Sequence, residues 1–344
     1  MFPALLEKLH RRENLTRGEA ASAMGEIMSG RATEAQMAGL LIALAMKGER
    51  PAEIVGLAAT MREHAVRLPR AFDQVFDTCG TGGDRSGTFN ISSCAAIVVA
   101  SCGVRVAKHG NRSVSSMSGS ADVFEALGVT VTASPEVVSK CLEDAKVGFL
   151  FAPTFHPSMR HAAAVRKSLG VRTAFNLLGP LTNPANATRQ LVGVPRPEFT
   201  ELIARSLAML GSTHAWVVHG ADGIDEISNT GYTKVSECRN GSVKTFYLHP
   251  ADAGLPKSSP DALKGGSAAD NAAIIGGVID GARGAARDVV VLNAGAALFI
   301  AGAASSLKDG VGMAGAAIDR KEARRTLDAL VTLSGSGVRA GSVS

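Results

Sequence analysis

The stretch that most constrains this chain is Asp77-Thr78-Cys79-Gly80-Thr81-Gly82-Gly83-Asp84, followed by Thr88-Phe89-Asn90-Ile91-Ser92-Ser93. Val75 and Phe76 close a short apolar run before it, and Ser92 to Ser101 is small and apolar enough for a buried helix. Strand, glycine loop and helix in that order make a phosphate cradle. Glycines let backbone N–H groups converge, and the helix start adds positive potential. No Gly-Lys-Ser/Thr follows, so it is not a Walker loop. Arg85 occupies the slot of the last glycine in the dinucleotide fingerprint, so it is not that either. A tight turn would explain one or two glycines, but not the acids and hydroxyls gathered with them.

A chain of 344 residues, 46% hydrophobic and 19% charged, can bury one large core or two domains and is not disordered. The net charge of +5 suits an anionic small substrate, and aromatics at 4% argue against stacking on nucleic-acid bases. Cys79, Cys94, Cys102, Cys141 and Cys238 are odd in number and lack Cys-x-x-Cys spacing, which reads as reduced thiols in a cytoplasmic protein. Met1 to Arg12 lacks a signal-peptide core and no apolar run reaches spanning length, so neither secretion nor membrane insertion is expected.

Residues 1–70 are helical by their punctuation. Thr16 with Glu19 and Thr33 with Gln36 form capping boxes, Gly30 and Gly48 fall past helix ends, and Pro51 opens the next helix. Four short helices are expected, with Ala- and Met-rich faces for packing or a dimer surface.

From Ala71 strands and helices alternate. Strands are expected at Gln74–Asp77, Val104–Ala107, Val129–Thr132, Phe149–Ala152, Leu191–Val194 and His214–His219, with a buried one at Asp288–Leu292. Helices are expected at Ser92–Ser101, Ala121–Leu127, Pro135–Ala145 and Glu198–Leu210, and a basic one across Pro157–Leu169. Asn176 to Pro184 is a proline-punctuated connection, Asn240-Gly241 turns a hairpin between Val235–Arg239 and Val243–Leu248, and Ser334–Ser344 is a frayed tail. The fold class is α/β: a small helical domain beside a larger domain with a mostly parallel sheet flanked by helices. Ligands in such a sheet sit at the carboxyl ends of the strands.

Two further loops follow strands of that sheet. Lys108-His109-Gly110-Asn111-Arg112-Ser113-Val114-Ser115-Ser116 combines two cations with hydroxyls, an amide and a glycine, a composition suited to gripping anions. Asp222-Gly223-Ile224-Asp225-Glu226 places carboxylates at a strand end, where a hard cation such as Mg²⁺ could bridge to substrate phosphates, with Ser92 near it. His109, His156 and His219 are candidates for proton transfer. There is no Gly-x-Ser-x-Gly elbow and no His-Glu-x-x-His helix, so catalysis by positioning and electrostatics is expected.

These residues resemble the anthranilate phosphoribosyltransferase family. The likeness rests on Gly80 to Asp84, Asn90 to Ser93, Lys108 to Arg112 with Ser115 and Ser116, and Ser118 to Asp122. It continues through Phe151 to Pro153, His156-Pro157, Val165-Arg166, Asn176 to Pro184 and Asp225-Glu226. The resemblance implies a homodimer, return of residues 163–184 to the helical domain of residues 1–70, and an α/β domain over 71–344. It also implies Mg²⁺-assisted transfer of phosphoribose from phosphoribosyl pyrophosphate to the amine of anthranilate.

On that resemblance Gly80, Gly83, Asp84, Thr88, Asn90, Ile91, Ser92 and Ser93 hold the donor, together with Lys108 to Ser116 and Ser120. Ser92, Asp225 and Glu226 bind magnesium; Gly80, Asn111 and Arg166 contact anthranilate. Lys108, Asp84 and Arg166 contribute electrostatically. Arg85 and Ser86 stand where a glycine is usual, Ser93 replaces a commoner threonine, and Asp319 to Glu322 lacks a usual serine–glycine turn. Two other readings differ in a visible feature. A pyrimidine nucleoside phosphorylase would carry a lysine- and serine-rich phosphate loop. A nucleic-acid-binding relative would have lost the glycine loop and the acid pair.

Overall fold

A computed structural model describes residues 1–113 and 117–336. Val114, Ser115 and Ser116 of the expected anion grip, and residues 337–344 of the expected tail, lie outside the described residues.

Helices α1 (Phe2–His10), α2 (Arg17–Met28), α3 (Glu34–Lys47) and α4 (Pro51–Glu63) open the chain. Both capping boxes form, each hydroxyl accepting from the N3 amide while the N3 side chain returns to the cap. Glu53 ties the bundle together: its buried carboxylate accepts from the Leu15 and Arg50 amides at 2.8 Å and from Lys47 Nζ at 3.0 Å. Three donors on one buried carboxylate, a lysine among them, offset the cost of burying it.

The α/β part begins with β1 (Phe76–Gly80), α5 (Ile91–Ser101), β2 (Val106–Gly110), α6 (Ser120–Ala126), α7 (Pro135–Asp144) and β3 (Val147–Phe151). Next come α8 (Ala152–Phe155), α9 (Arg160–Leu169), α10 (Phe175–Leu178), β4 (Arg189–Gly193), α11 (Glu198–Met209) and β5 (His214–Gly220). The hairpin β6 (Thr233–Arg239) and β7 (Ser242–Leu248) turns on Asn240 and Gly241, both at positive φ. Helices α12 (Ala268–Ile279), α13 (Ala285–Ala301), α14 (Leu307–Asp319) and α15 (Glu322–Gly335) follow.

The seven strands run in the order β3-β2-β1-β4-β5-β6-β7, parallel through β5 and antiparallel in the hairpin. Chain order reverses between β1 and β4, the switch point at which α/β sheets open a crevice. One face of the sheet packs on α5 and α13. The other shares a core with α1–α4 and α9–α11, so Ala162, Val165 and Phe175 pack among residues from the first four helices.

Several expected elements are corrected. Strands β1 and β2 run on to Gly80 and Gly110, because parallel partners Gly193 and Phe151 extend the ladders; the glycine loop proper starts at Thr81. Val129–Thr132 forms no strand, although Val129 and Val131 are buried. Asp288–Leu292 is helical, inside α13, which is buried on nearly every side; an apolar run without a polar face carries no period to distinguish helix from strand. Ser334 is not frayed, since its hydroxyl accepts from the Thr130 amide at 3.0 Å.

Candidate active site

The loops after β1, β2 and β5 meet over the carboxyl edge of the sheet and wall a cavity of about 860 Å³, closed on the opposite side by α9 and α10. The glycine loop owes its path to positive φ at Gly82, Gly83, Arg85 and Gly87. Two glycines are also needed for space. A Cβ on Gly80 would stand 2.5 Å from Asp225 Oδ2, and one on Gly83 would stand 1.9 Å from Arg172 Nη1.

Asp84 accepts from Ser86 Oγ at 2.6 Å and from the Asp225 amide at 3.4 Å. Thr88 bridges to Lys264, and Gly87 and Phe89 exchange backbone bonds with Gly265 and Leu263, so a distant segment holds the far side of the loop. Asn90 accepts from Asn271 Nδ2 at 2.9 Å and donates to the Ser118 carbonyl at 3.4 Å. Ile91 lies in the core and borders the cavity. The Ser92 amide, at the start of α5, donates to Glu226 Oε1 at 3.1 Å. Ser93 Oγ is buried without a partner among the described residues.

Lys108 is buried, its ammonium donating to the Thr78 carbonyl and, at 3.4 Å, to Ser92 Oγ. Burial lowers its pKa, while Asp77, Glu226 and Asp225 draw it back up. Gly110 and Asn111 line the cavity, as does Ser120, whose hydroxyl donates to the Asn111 carbonyl at 3.4 Å. The Ser113 amide donates to Asp122 Oδ2 at 3.1 Å. Arg112 also lines the cavity but is engaged, bound to Asp122 at 2.9 Å and Glu125 at 2.7 Å.

Asp225 and Glu226 face the cavity yet are walled in by protein. Desolvation raises the Asp225 pKa to about 7, helped by the charge of Asp84, and raises that of Glu226 to about 8, helped by Asp225. Asp222, by contrast, turns away and accepts from Ser228 Oγ at 2.8 Å and Thr230 Oγ1 at 2.6 Å.

The His109 and His156 rings meet at a tilt of 53°, their centroids 5.1 Å apart, on the cavity wall. Burial holds both rings neutral, at about 3 and about 4 respectively. His219 lies outside the cavity lining and bonds to the Val194 carbonyl at 2.9 Å, which makes it structural. The neutral pair predicts acid sensitivity. Below the unfolded pKa of about 6.5 the unfolded chain takes up protons the folded one refuses. Stability present above that value is therefore lost toward pH 4, roughly 2 kcal/mol per ring by pH 5. Urea unfolding at pH 7 and pH 5 should show a shallower loss in a His109→Asn/His156→Asn variant; equal slopes would refute this source.

Arg166, on α9, lies over the Phe175 ring at 5.4 Å, and burial lowers its pKa. Its guanidinium has no carboxylate partner among the described residues and borders the same cavity as the glycine loop and Asn111. Arg172 and Asn271 were not anticipated from the sequence. Arg172 lies just beyond the basic helix, whose charge run was the available signal. Asn271 is brought in from α12, and no local pattern announces it.

A helical bundle set on a mostly parallel sheet, with glycine- and hydroxyl-rich loops gathered at the switch point, is the two-part construction of a glycosyl transferase family. Residues 3–65 match the profile described as "Glycosyl transferase family, helical bundle domain", and residues 73–324 the one described as "Glycosyl transferase family, a/b domain". The chain belongs to the anthranilate phosphoribosyltransferase family.

It is 51% identical over 331 residues to the anthranilate phosphoribosyltransferase of Moorella thermoacetica, covering 96% of this chain and 98% of that one. It is 50% identical over 329 residues to that of Azorhizobium caulinodans, covering 96% and 95%. The crystal structure of the Thermus thermophilus enzyme superposes with a TM-score of 0.90 at 44% identity, over 96% of this chain and 99% of that one. The Saccharomyces cerevisiae enzyme in complex with PRPP and Mg does so with 0.88 at 27%, over 97% and 98%. No helix among the described residues is long and apolar enough to cross a membrane.

Proposed function

We propose that this protein transfers the phosphoribosyl group of 5-phosphoribosyl 1-pyrophosphate to the amine of anthranilate, giving N-(5-phosphoribosyl)anthranilate and pyrophosphate in tryptophan biosynthesis. The observation that carries the reading is that three loops far apart in sequence share one cavity with Arg166 on the facing wall. The glycine loop, the start of α5 and the loop after β2 supply the backbone and hydroxyl donors for the phosphates. Arg166 supplies the planar fork for the anthranilate carboxylate.

The donor set fits magnesium. Asp225 and Glu226 are crowded carboxylates whose ionisation burial opposes, and Ser92, whose amide bonds to Glu226, brings a hydroxyl that accepts from Lys108 Nζ at 3.4 Å. Asp84 stands close by, accepting from the Asp225 amide at 3.4 Å; the described residues hold no cluster of three or more His, Cys, Asp or Glu set to ligate a metal, so an ion there would fill its shell with water and substrate oxygens. Bound there, magnesium would neutralise charge on the pyrophosphate. The protein's own share is to orient the donor through the loop amides, to hold Lys108 as a fixed positive charge under Ser92, and to aim the acceptor amine from Arg166. No covalent intermediate is required.

We also assign, on the family's pattern, a homodimer in the cytoplasm, and a helical domain of residues 1–70 joined by about 163–184 beside an α/β domain over 71–344. Neither a nucleic-acid nor a membrane partner is part of this reading. A steady-state assay with anthranilate, donor and Mg²⁺ tests the reaction, and absence of product from folded, pure protein refutes it. Arg166→Ala should raise the anthranilate KM about thirtyfold, from loss of a charge-assisted pair of about 2 kcal/mol, while the donor KM moves little. Equal changes in both would remove Arg166 from the acceptor site.

A further inference from the structure

Arg172 stands on the link between α9 and α10, a short way past Arg166. Its Nη1 donates to the Gly82 carbonyl at 2.7 Å, while its Nη2 is buried with no partner among the described residues. From the opposite wall, Asp225 Oδ2 accepts from the Gly82 amide at 3.1 Å. The two peptide groups flanking one glycine are therefore gripped from both sides.

On either side the Thr81 amide bonds to the Gly193 carbonyl and Asp84 to the Asp225 amide, but among the described residues only Arg172 and Asp225 bond to the peptide groups of Gly82 itself. Gly82 has no side chain, sits at φ +65°, and an added Cβ there would meet nothing within 4 Å. Glycine has more backbone freedom to lose than any other residue, so a loop tip made of Gly82 and Gly83 keeps one shape only if its peptides are bonded. Gly83 is fitted to Arg172 in turn, since any Cβ there would overlap Nη1. Lys108 cannot substitute, because its ammonium is committed to Thr78 and Ser92.

We propose that Arg172 is a positioning residue for the phosphoribosyl donor: through the Gly82 carbonyl it holds the glycine loop in its binding shape, and it ties that loop to the segment that carries Arg166. The proposal rests on the transferase reading, with the donor's pyrophosphate as the group the loop receives. Arg172 acts through the loop peptide, and the effect of losing it falls on donor binding before acceptor binding.

The test compares wild type, Arg172→Ala and Arg172→Lys. Calorimetry measures binding of inorganic pyrophosphate with Mg²⁺, steady-state kinetics gives KM for each substrate, and thermal unfolding checks the fold. Arg172→Ala should weaken pyrophosphate binding and raise the donor KM about tenfold or more, with the anthranilate KM moving less than about threefold. Arg172→Lys should recover most of the loss, because one ammonium N–H can reach the same carbonyl. If Arg172→Ala is recovered unfolded, Arg172→Met keeps the packing of the stem without the donor and takes its place.

Unchanged pyrophosphate affinity in the alanine or methionine variant overturns the proposal. So does an effect confined to the anthranilate KM, or a lysine variant no better than alanine. A wild-type protein that binds pyrophosphate with Mg²⁺ but forms no product would overturn the transferase reading and leave the loop comparison to decide Arg172's role. One that binds neither donor nor pyrophosphate would overturn both.

Discussion

Glu226→Gln is expected to lower kcat/KM by about 10²–10³, the range found when one electrostatic contact to the transition state is removed, without lowering the thermal midpoint. Glutamine keeps the shape and can still accept from the Ser92 amide, which Glu226 now does at 3.1 Å. What disappears is a carboxyl whose ionisation the folded protein resists, beside Asp225 and within reach of Asp84, and which would have to ionise to hold a cation. A neutral amide never has to ionise in that walled-in position, so the variant should unfold at the same temperature as wild type or higher. Residues selected for activity at the expense of stability behave in this way. Parallel assays of turnover and thermal unfolding test both halves. A variant that keeps full activity would remove Glu226 from the donor site, and one that melts markedly lower would make its carboxylate structural.

Lys108→Met should act in the opposite sense on stability. The ammonium is the buried positive charge against which Asp77, Glu226 and Asp225 are set, and it donates to the Thr78 carbonyl in the strand that feeds the glycine loop. Asp77 is itself fully buried, accepting from the His109 amide at 3.2 Å and Asn183 Nδ2 at 2.7 Å. Methionine fills the space and spares the cost of burying an ammonium, but it leaves those carboxylates without their counter-charge. A loss on the order of 3 kcal/mol is expected, as for one partner removed from a buried charge network, with turnover reduced by about 10² or more. Combining Lys108→Met with Glu226→Gln should recover part of the stability, because the second change removes an ionisable group that the first left without its counter-charge. Strictly additive losses in urea unfolding would show that the two side chains do not share a network.

The glycine loop, the anion-gripping loop and the acid pair were each legible as short runs, because phosphate binding needs residue types that other roles seldom collect so densely. The departures at Arg85 and Asp319–Glu322 become intelligible only in three dimensions. Arg85 sits at φ +57° and Lys321 at φ +60°, so both turns use the left-handed conformation that glycine would take without strain. Arg112 is one of the two cations expected to grip anions, and α6 supplies Asp122 and Glu125 to engage it. The supposed strand at Asp288–Leu292 failed because a helix buried on all sides has no amphipathic period.

Local sequence alone determined the helical start, the alternation that follows it and the chemical character of each loop, since caps, turns and apolar periods act over a few residues. Only the tertiary structure decided where the strands end, that Asp222 and His219 stand aside, and that Arg172 and Asn271 join the cavity. Apart from Asp222, which is drawn aside by the nearby Ser228 and Thr230, those outcomes depend on partners far away in the chain, for which no nearby stretch carries a record. The clamp on Gly82 is of that kind: its carbonyl is held by Arg172 and its amide by Asp225, two residues that meet only once the sheet has been assembled.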